Sequence, residues 1–467
     1  MCIFSFHYPL PNRFKRYYKY WKPSDWKSKV PYQIPHYENK THLSIVESEL
    51  KNVAPLVFAG ECRELKHQIA KVACGQAFLL IGGDCAESFD NFSVDSVRDT
   101  YKLLLQMSLI LTYGSSLPIV KIGRFAGQYA KPRSNEFEYV NGEKLPIYRG
   151  DIINGISESQ RIPDPNRMLK AYHLSSQTLN ILRAFSSGGF ADLNRLDLWD
   201  LTFVSENPSN RMYQNIFQNT QKCIQFMRAV GVDISNPIFK TTQLYTAHEC
   251  LLLPYEESLT RKDSITQEWY GCSGHLLWIG ERTRQLNGSH IEFIKGINNP
   301  IGVKISENFN TNEILEMIKI LNPDNELGRL MLITRMGAKN LKEKLPELIH
   351  IVKNNSLNVA WCCDPMHGNT FSQSVGDSKI KTRSFEDIVE EIIVYFEIHK
   401  SCGTYPGGIH LELTGMNVTE CLGGNVQDIK EDDLIKNYKS TCDPRLNGIQ
   451  ALEIALLLAD KLSNESL

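Results

Sequence analysis

Short apolar, β-rich runs recur along the chain, each ending in glycine or a polar residue. Eight stand out: Ala77–Gly82, Pro118–Gly123, Phe239–Thr246, His275–Gly280, Ile301–Lys304, Arg329–Arg335, Asn358–Cys363 and Gly408–Leu413. Between most of them apolar residues fall at helical spacing, as in Glu313–Leu321 and Leu341–Val352. Strands alternating with helices mean parallel pairing through right-handed crossovers. Eight such units predict an α/β protein built as a closed (β/α)8 TIM barrel, with an open doubly wound sheet as the alternative.

Two segments exceed a minimal barrel. Residues 1–60 precede the first strand as an N-terminal extension, which leaves 61–467 for the barrel itself. The stretch from about 140 to 237, after the second run, is far longer than one crossover. Within it Leu174, Thr178, Ile181, Leu182 and Phe185 share one helical face, and Ile216, Phe217, Ile224 and Met227 mark a second helix beyond Gly188-Gly189. An inserted helix pair can cover the barrel, build a subunit interface or bind a regulator.

Composition narrows the class. The chain has 467 residues, 42% apolar and 22% charged, an ordinary globular balance with room for a large core. Its 51 basic and 53 acidic residues leave a net charge of -2, which argues against nucleic acid as the main partner. No apolar run approaches the roughly 18 residues of a membrane helix; Leu103–Leu111 and Ala455–Ala459 are short pieces of amphipathic stretches. Twelve cysteines predict free thiols in a reducing compartment, in keeping with a cytoplasmic protein. Residues 1–30 hold seven basic residues and one acid, but Trp, Tyr and Pro dominate and no long apolar core is present. They read as a structured arm, with a transit peptide as the alternative.

The active site of such a barrel collects at the C-terminal ends of its strands. Two sets of residues follow the eight runs. The first is cationic: Arg124, Lys131, Arg133, Arg282, Arg284, Lys304 and Arg335. Guanidinium forks and ammonium charges suit phosphate and carboxylate oxygens, so the ligands expected are small phosphorylated acids or sugars. The second set is Cys85, His367, Glu412 and Asp443. The first and eighth strands of a closed barrel are neighbours, so these four can meet. One sulfur, one imidazole and two carboxylates suit a catalytic divalent ion such as Mn, Fe, Co or Zn.

Longer motifs carry a resemblance. They are Gly-Gly-Asp-Cys85-Ala-Glu, Arg124-Phe-Ala-Gly-Gln-Tyr-Ala-Lys131-Pro-Arg133-Ser134 and Trp278-Ile-Gly-Glu281-Arg282-Thr-Arg284. Asp364-Pro-Met-His367-Gly-Asn-Thr, His-Leu-Glu412-Leu-Thr-Gly and Cys442-Asp443-Pro-Arg445-Leu-Asn complete the set. In order and in content the sequence resembles the type II (plant-like) 3-deoxy-D-arabino-heptulosonate 7-phosphate (DAHP) synthases, from about Trp21 to the last helix. The resemblance implies a (β/α)8 barrel with an extension and an inserted helix pair. It also implies condensation of phosphoenolpyruvate with erythrose 4-phosphate at the entry to the shikimate pathway, with a divalent metal such as Mn or Co.

By that resemblance Cys85, His367, Glu412 and Asp443 are the metal ligands. Arg124, Glu281, Arg282, Lys304 and Arg335 surround phosphoenolpyruvate, and Lys131, Arg133 and Ser134 take the erythrose phosphate side. A homo-oligomer is implied, as are aromatic amino acid effectors on the extension and insert. Within this frame Glu281, beside Arg282 and Lys304, is expected to orient the attacking water. Lys304 holds a carboxylate or donates a proton. Cys442 adjoins Asp443 and should lie near Cys85, so a disulfide is expected in the oxidised, metal-free protein. His410, two residues before Glu412, shares its strand face and is a partner for the metal ligands. Asp364 can orient a ligand or a lysine. The alternatives are a secondary-metabolism paralogue making an amino analogue of the product, and a metal-binding regulator without catalysis.

Overall fold

The computed structural model describes residues 20–192, 195, 211–236, 239–376 and 378–464. The first 19 residues of the extension and residues 193–194, 196–210 and 237–238 of the insert lie outside the described residues, as does the Phe217 side chain. Eight parallel strands close into a barrel. They are β1 (Phe78–Gly83), β2 (Ile119–Arg124), β3 (Tyr245–Glu249), β4 (Leu276–Ile279), β5 (Ile301–Ile305), β6 (Leu330–Thr334), β7 (Ala360–Cys363) and β8 (Gly408–Glu412), and β8 pairs with β1. The strand order follows the chain, as right-handed β-α-β crossovers require. Seven of the eight expected runs coincide with these strands. The third is displaced: the run Phe239–Thr246 overlaps only the start of Tyr245–Glu249. The strand's second half carries His248 and Glu249, so its apolar signal stops too early.

Period-two alternation divides each strand between two cores. Leu79 and Ile81, Val120 and Ile122, Tyr245 and Ala247, Leu276 and Trp278, Met331 and Ile333, and Ala360 and Cys362 fill the barrel interior. The intervening residues, such as Leu80, Leu277, Val303, Leu332 and Leu411, face the helical layer. Helices α1 (Lys40–Asn52) and α2 (Ala59–Ala73) precede the barrel. Leu65, Ile69 and Val72 of α2 join the interior core, so this helix plugs the N-terminal end of the cylinder.

Helix α3 (Val94–Ser115) follows β1. The insert then supplies α4 (Asn166–Ser186) and α5 (Arg211–Ala229). Met168, Ala171, Tyr172, Ser175, Thr178, Leu179 and Leu182 form the buried stripe of α4, which packs on α3 and α1. Tyr172 Oη and Arg183 Nη2 donate to the carbonyls of Ala54 and Leu56, tying the insert to the extension. The remaining crossovers are α6 (Leu253–Ser258), α7 (Ser289–Ile294), α8 (Thr311–Leu321), α9 (Ala338–Asn354) and α10 (Phe385–Ser401), and α11 (Gly448–Asn464) follows β8. The described cysteines are free thiols; Cys223, on α5, is exposed rather than packed. Among the described residues no helix is long and apolar enough to cross a membrane.

Two buried histidines link this packing to pH. His399 on α10 lies against Tyr395 and Trp361, bonds Thr404 through Nδ1 and leaves Nε2 without a partner. Burial pushes it down to about 3. His290 on α7, whose Nε2 bonds the Leu251 carbonyl, is pushed by burial to about 4. The unfolded chain binds these protons near pH 6.5, so stability is full above that value and is lost as pH falls toward the folded values. Acidification from pH 7 to 5 is expected to cost on the order of 2 kcal/mol per histidine. In His399→Gln that loss should shrink correspondingly, read as urea midpoints at the two pH values.

Candidate active site

The inward-facing series of six strands end in polar side chains: Arg124 on β2, Glu249 on β3, Lys304 on β5, Arg335 just past β6, Asp364 just past β7 and Glu412 on β8. The same alternation that packs the barrel interior therefore aims a ring of charges at its C-terminal mouth. A cavity of about 270 Å³ opens there. Arg124, Lys131, Arg133, Ser134, Glu281, Arg282, Lys304, Arg335, His367 and Asp443 lie on its wall, with Gln128, Glu249, Trp278 and Lys381.

Glu412 is the most heavily engaged group. It is fully buried, yet Arg383 Nη2 donates at 2.7 Å, Arg124 Nη2 at 2.9 Å and Lys131 Nζ at 3.3 Å. His367 Nε2 stands 3.4 Å away. Burial pushes the carboxyl up, but the charges of His367, Lys131, Arg383 and Arg124 hold it well below the usual carboxylate range. The pairing across β1 rests on Gly83. It sits in register with Arg124 on one side and Glu412 on the other. At φ 144° it lies in a region that disfavours side chains, and a Cβ there would come within 3.0 Å of Arg124. Arg124 is otherwise spent on the carbonyls of Asp84 and Cys85 and on His410.

The Cys85 sulfur and oxygens of Glu412 and Asp443 lie within 4.8 Å of one another, a spacing that can hold a metal ion. His367 is not within that trio but adjoins it through Glu412. Asp364 Oδ2 pairs with His367 Nδ1 at 2.8 Å, which leaves Nε2 to face the trio. Metal-binding histidines are oriented by such a carboxylate, so the donor set fits a divalent cation. Asp364 also pairs with Lys304 Nζ and thus joins the two halves of the site. Burial would raise its pKa, but His367 and Lys304 hold it well below normal. Lys131 bridges Glu412 and Asp443, 3.1 Å from the latter, and so stands against the carboxylate trio. Burial disfavours its charge, yet Cys85, Glu412 and Asp443 hold its pKa well above normal.

The rest of the wall is arranged for anions. Arg335 Nε is buried without a hydrogen-bond partner, and Nη2 donates to the His367 carbonyl. Burial, outweighing Asp364, depresses the Lys304 pKa, and the ammonium lies 5.7 Å from the Trp278 ring centre. Arg282 Nη2 donates to Ser134 Oγ at 3.0 Å. Arg284 is not on the wall; its Nε and Nη2 both donate to Glu281 Oε1. Glu281 Oε2 accepts from the Ser306 amide, so both oxygens are engaged. Glu249 differs: Oε1 is buried without a partner, and burial raises its pKa against the pull of Lys131, Lys304 and Arg124. His410 bonds Arg124 rather than a member of the trio.

Sequence reasoning passed over Glu249, Gln128, Lys381 and Arg383. Glu249 had a signal: Tyr245, Ala247 and Glu249 alternate as Val120, Ile122 and Arg124 do. Arg383 and Lys381 had none, because they arrive on a hairpin, Thr370–Val375 with Ser378–Arg383, inserted before α10.

Comparison with known proteins agrees with this geometry. Residues 21–459 match the model of the class-II DAHP synthetase family. The phospho-2-dehydro-3-deoxyheptonate aldolase of Streptomyces coelicolor is 49% identical over 437 residues, covering 93% of this chain and 96% of that protein. The Neurospora crassa protein of the same name is 46% identical over 461 residues, covering 95% of each. Matched over nearly its whole length, the chain belongs to the class-II DAHP synthetase family.

Proposed function

We propose that this protein condenses phosphoenolpyruvate with erythrose 4-phosphate and water to give 3-deoxy-D-arabino-heptulosonate 7-phosphate and phosphate, with a divalent metal. One observation carries the reading: Asp443, whose carboxylate groups with the buried Cys85 sulfur and Glu412 oxygen, lines the same cavity as Lys304, Arg335, Arg282 and Arg133. Both substrates are anions, and these cations screen their repulsion while holding them together.

Arg335, Lys304 and Arg282 take the enolpyruvate phosphate and carboxylate. Arg133 and Ser134 take the sugar phosphate. Cys85, His367, Glu412 and Asp443 hold the metal, which supplies Lewis-acid polarisation of the aldehyde oxygen when bound. Lys131, an ammonium held charged by its neighbours, donates to the oxyanion that forms as the enolpyruvate methylene carbon attacks the aldehyde carbon. Water then adds to the enol carbon. Because both oxygens of Glu281 are engaged, we assign the water to the partnerless oxygen of Glu249, which takes its proton and returns it to the departing phosphate. As the C–O bond to phosphate breaks, the hemiketal hydroxyl gives up the water's second proton, which recharges Lys131, and the water oxygen becomes the ketone.

Phosphate release on mixing the protein with both substrates should vanish after chelation and return with added Mn or Co. Release that survives exhaustive chelation would refute metal dependence. Glu249→Gln should lower kcat by about 100-fold or more with KM values little changed, whereas Glu281→Gln should lose less. Cys85 and Cys442 pack together beside Tyr148. Treating the chelated protein with peroxide should join them, the two thiol hydrogens leaving as water, and mass spectrometry of the peptides would show the linkage.

A further inference from the structure

The extension does more than cover the barrel, because it runs past two substrate loops in succession. Trp21 Nε1 donates to the Glu292 carbonyl of α7, and Trp26 Nε1 donates to Glu257 of α6, each at 2.9 Å. Ser289, at the start of α7, donates Oγ to the Trp26 carbonyl and its amide to the Val30 carbonyl. Val30 forms a parallel bridge with Gly288. The arm is thus fastened to the segment that follows Glu281–Arg284, on the enolpyruvate side of the cavity.

Three residues later it reaches the other side. Gln33 Oε1 accepts the Arg133 amide at 2.9 Å, and the Gln33 carbonyl accepts Arg149 Nη1 at 3.2 Å. The Arg149 carbonyl in turn accepts the Lys131 amide at 2.8 Å. Gln33 does this with φ at 62°, a left-handed conformation uncommon for a residue with a long side chain. Such strain persists only where the surroundings hold it, and it gathers at working sites. The two loops also touch each other, through Arg282 and Ser134. Arg149 feels the opposite charge of Glu136 and the like charge of Arg133, so it too is tied electrostatically to this loop.

We propose that Gln33 is a positioning residue for the sugar-phosphate substrate: by holding the Arg133 amide it sets the Lys131–Ser134 segment against the enolpyruvate half of the site. This rests on the condensation proposed above and deepens it. Gln33 touches no substrate; it acts through Arg133.

Gln33→Gly keeps the left-handed backbone without strain and removes the acceptor. It should raise the KM for erythrose 4-phosphate about five- to tenfold, the loss of one hydrogen bond, while kcat and the KM for phosphoenolpyruvate stay within about twofold. Amide hydrogen exchange in residues 131–136 should accelerate about tenfold, with residues 301–305 unchanged. Gln33→Glu, with the same reach and an acceptor oxygen, should restore the exchange protection. An equal rise in both KM values, an unchanged KM for erythrose 4-phosphate, or unchanged exchange would each overturn the role. If wild-type protein released no phosphate from the two substrates, the condensation would fall, and the exchange result would still decide whether Gln33 holds the loop.

Discussion

A carboxylate with no access to water stands at the centre of this structure. Isolated in a protein interior, the Glu412 charge would cost several kcal/mol. It is tolerated because Arg124, Arg383 and Lys131 converge on it from three separate segments. Each cation would be as costly without it. The network therefore fixes β2, the hairpin ending at Arg383, the Lys131 loop and β8 relative to one another before any ligand arrives. Gly83 makes this possible, since only a strand without a side chain at that level lets Arg124 cross to Glu412. A metal site on such a support is pre-organised, and pre-organised charge is where electrostatic catalysis draws most of its effect.

The loops above the barrel are held by carboxylates that accept backbone amides, in one case with a guanidinium as well. Glu87 accepts the consecutive amides of Ala126, Gly127 and Gln128. Glu391 accepts those of Met336 and Gly337 and the side chain of Asn369, joining the Arg335 loop to the His367 loop. Glu420 accepts the amides of Lys439, Ser440 and Arg445, which flank Asp443. Burial pushes Glu87 up to about 7 and Glu391 up to about 8, against the amides that favour their charged forms. A raised carboxyl pKa often marks catalysis. Here it marks a buried acceptor that replaces solvent for a turn of backbone.

The barrel was legible because its strands alternate between two apolar cores, and the ring of cations was legible because they end those strands. Glu249 follows the same rule as Arg124 and Asp364, and alternation carried one step beyond the apolar run would have reached it. What period-two reasoning does not reach are residues delivered by inserted segments. Arg383 and Lys381 come from a hairpin, and Gln33 from an arm that contacts the site about 100 residues away in sequence. Nothing in their local pattern reports that contact. The Arg284 pairing with Glu281 was hidden for another reason: the first residue of a 3-10 turn and the residue that caps its end neutralise each other, and spacing alone does not separate a paired charge from a free one.

Trp278 marks where the dry barrel ends and the chemistry begins. Below it the interior is Leu79, Ile81, Val120, Ile122, Met331 and Ile333, with no polar side chain among them. Above it lie Arg124, 5.2 Å from its ring centre, and Lys304 at 5.7 Å. His410 stands edge-on at 5.0 Å. An indole face attracts cations without competing as an acceptor for their N–H groups. Lys304 therefore keeps donor capacity for an anion while its charge is partly compensated from beneath. A smaller aliphatic residue at 278 would remove both the compensation and the seal. That is why the largest side chain of the interior sits at its top layer, in register with Glu249 on one neighbouring strand and Gly302 on the other.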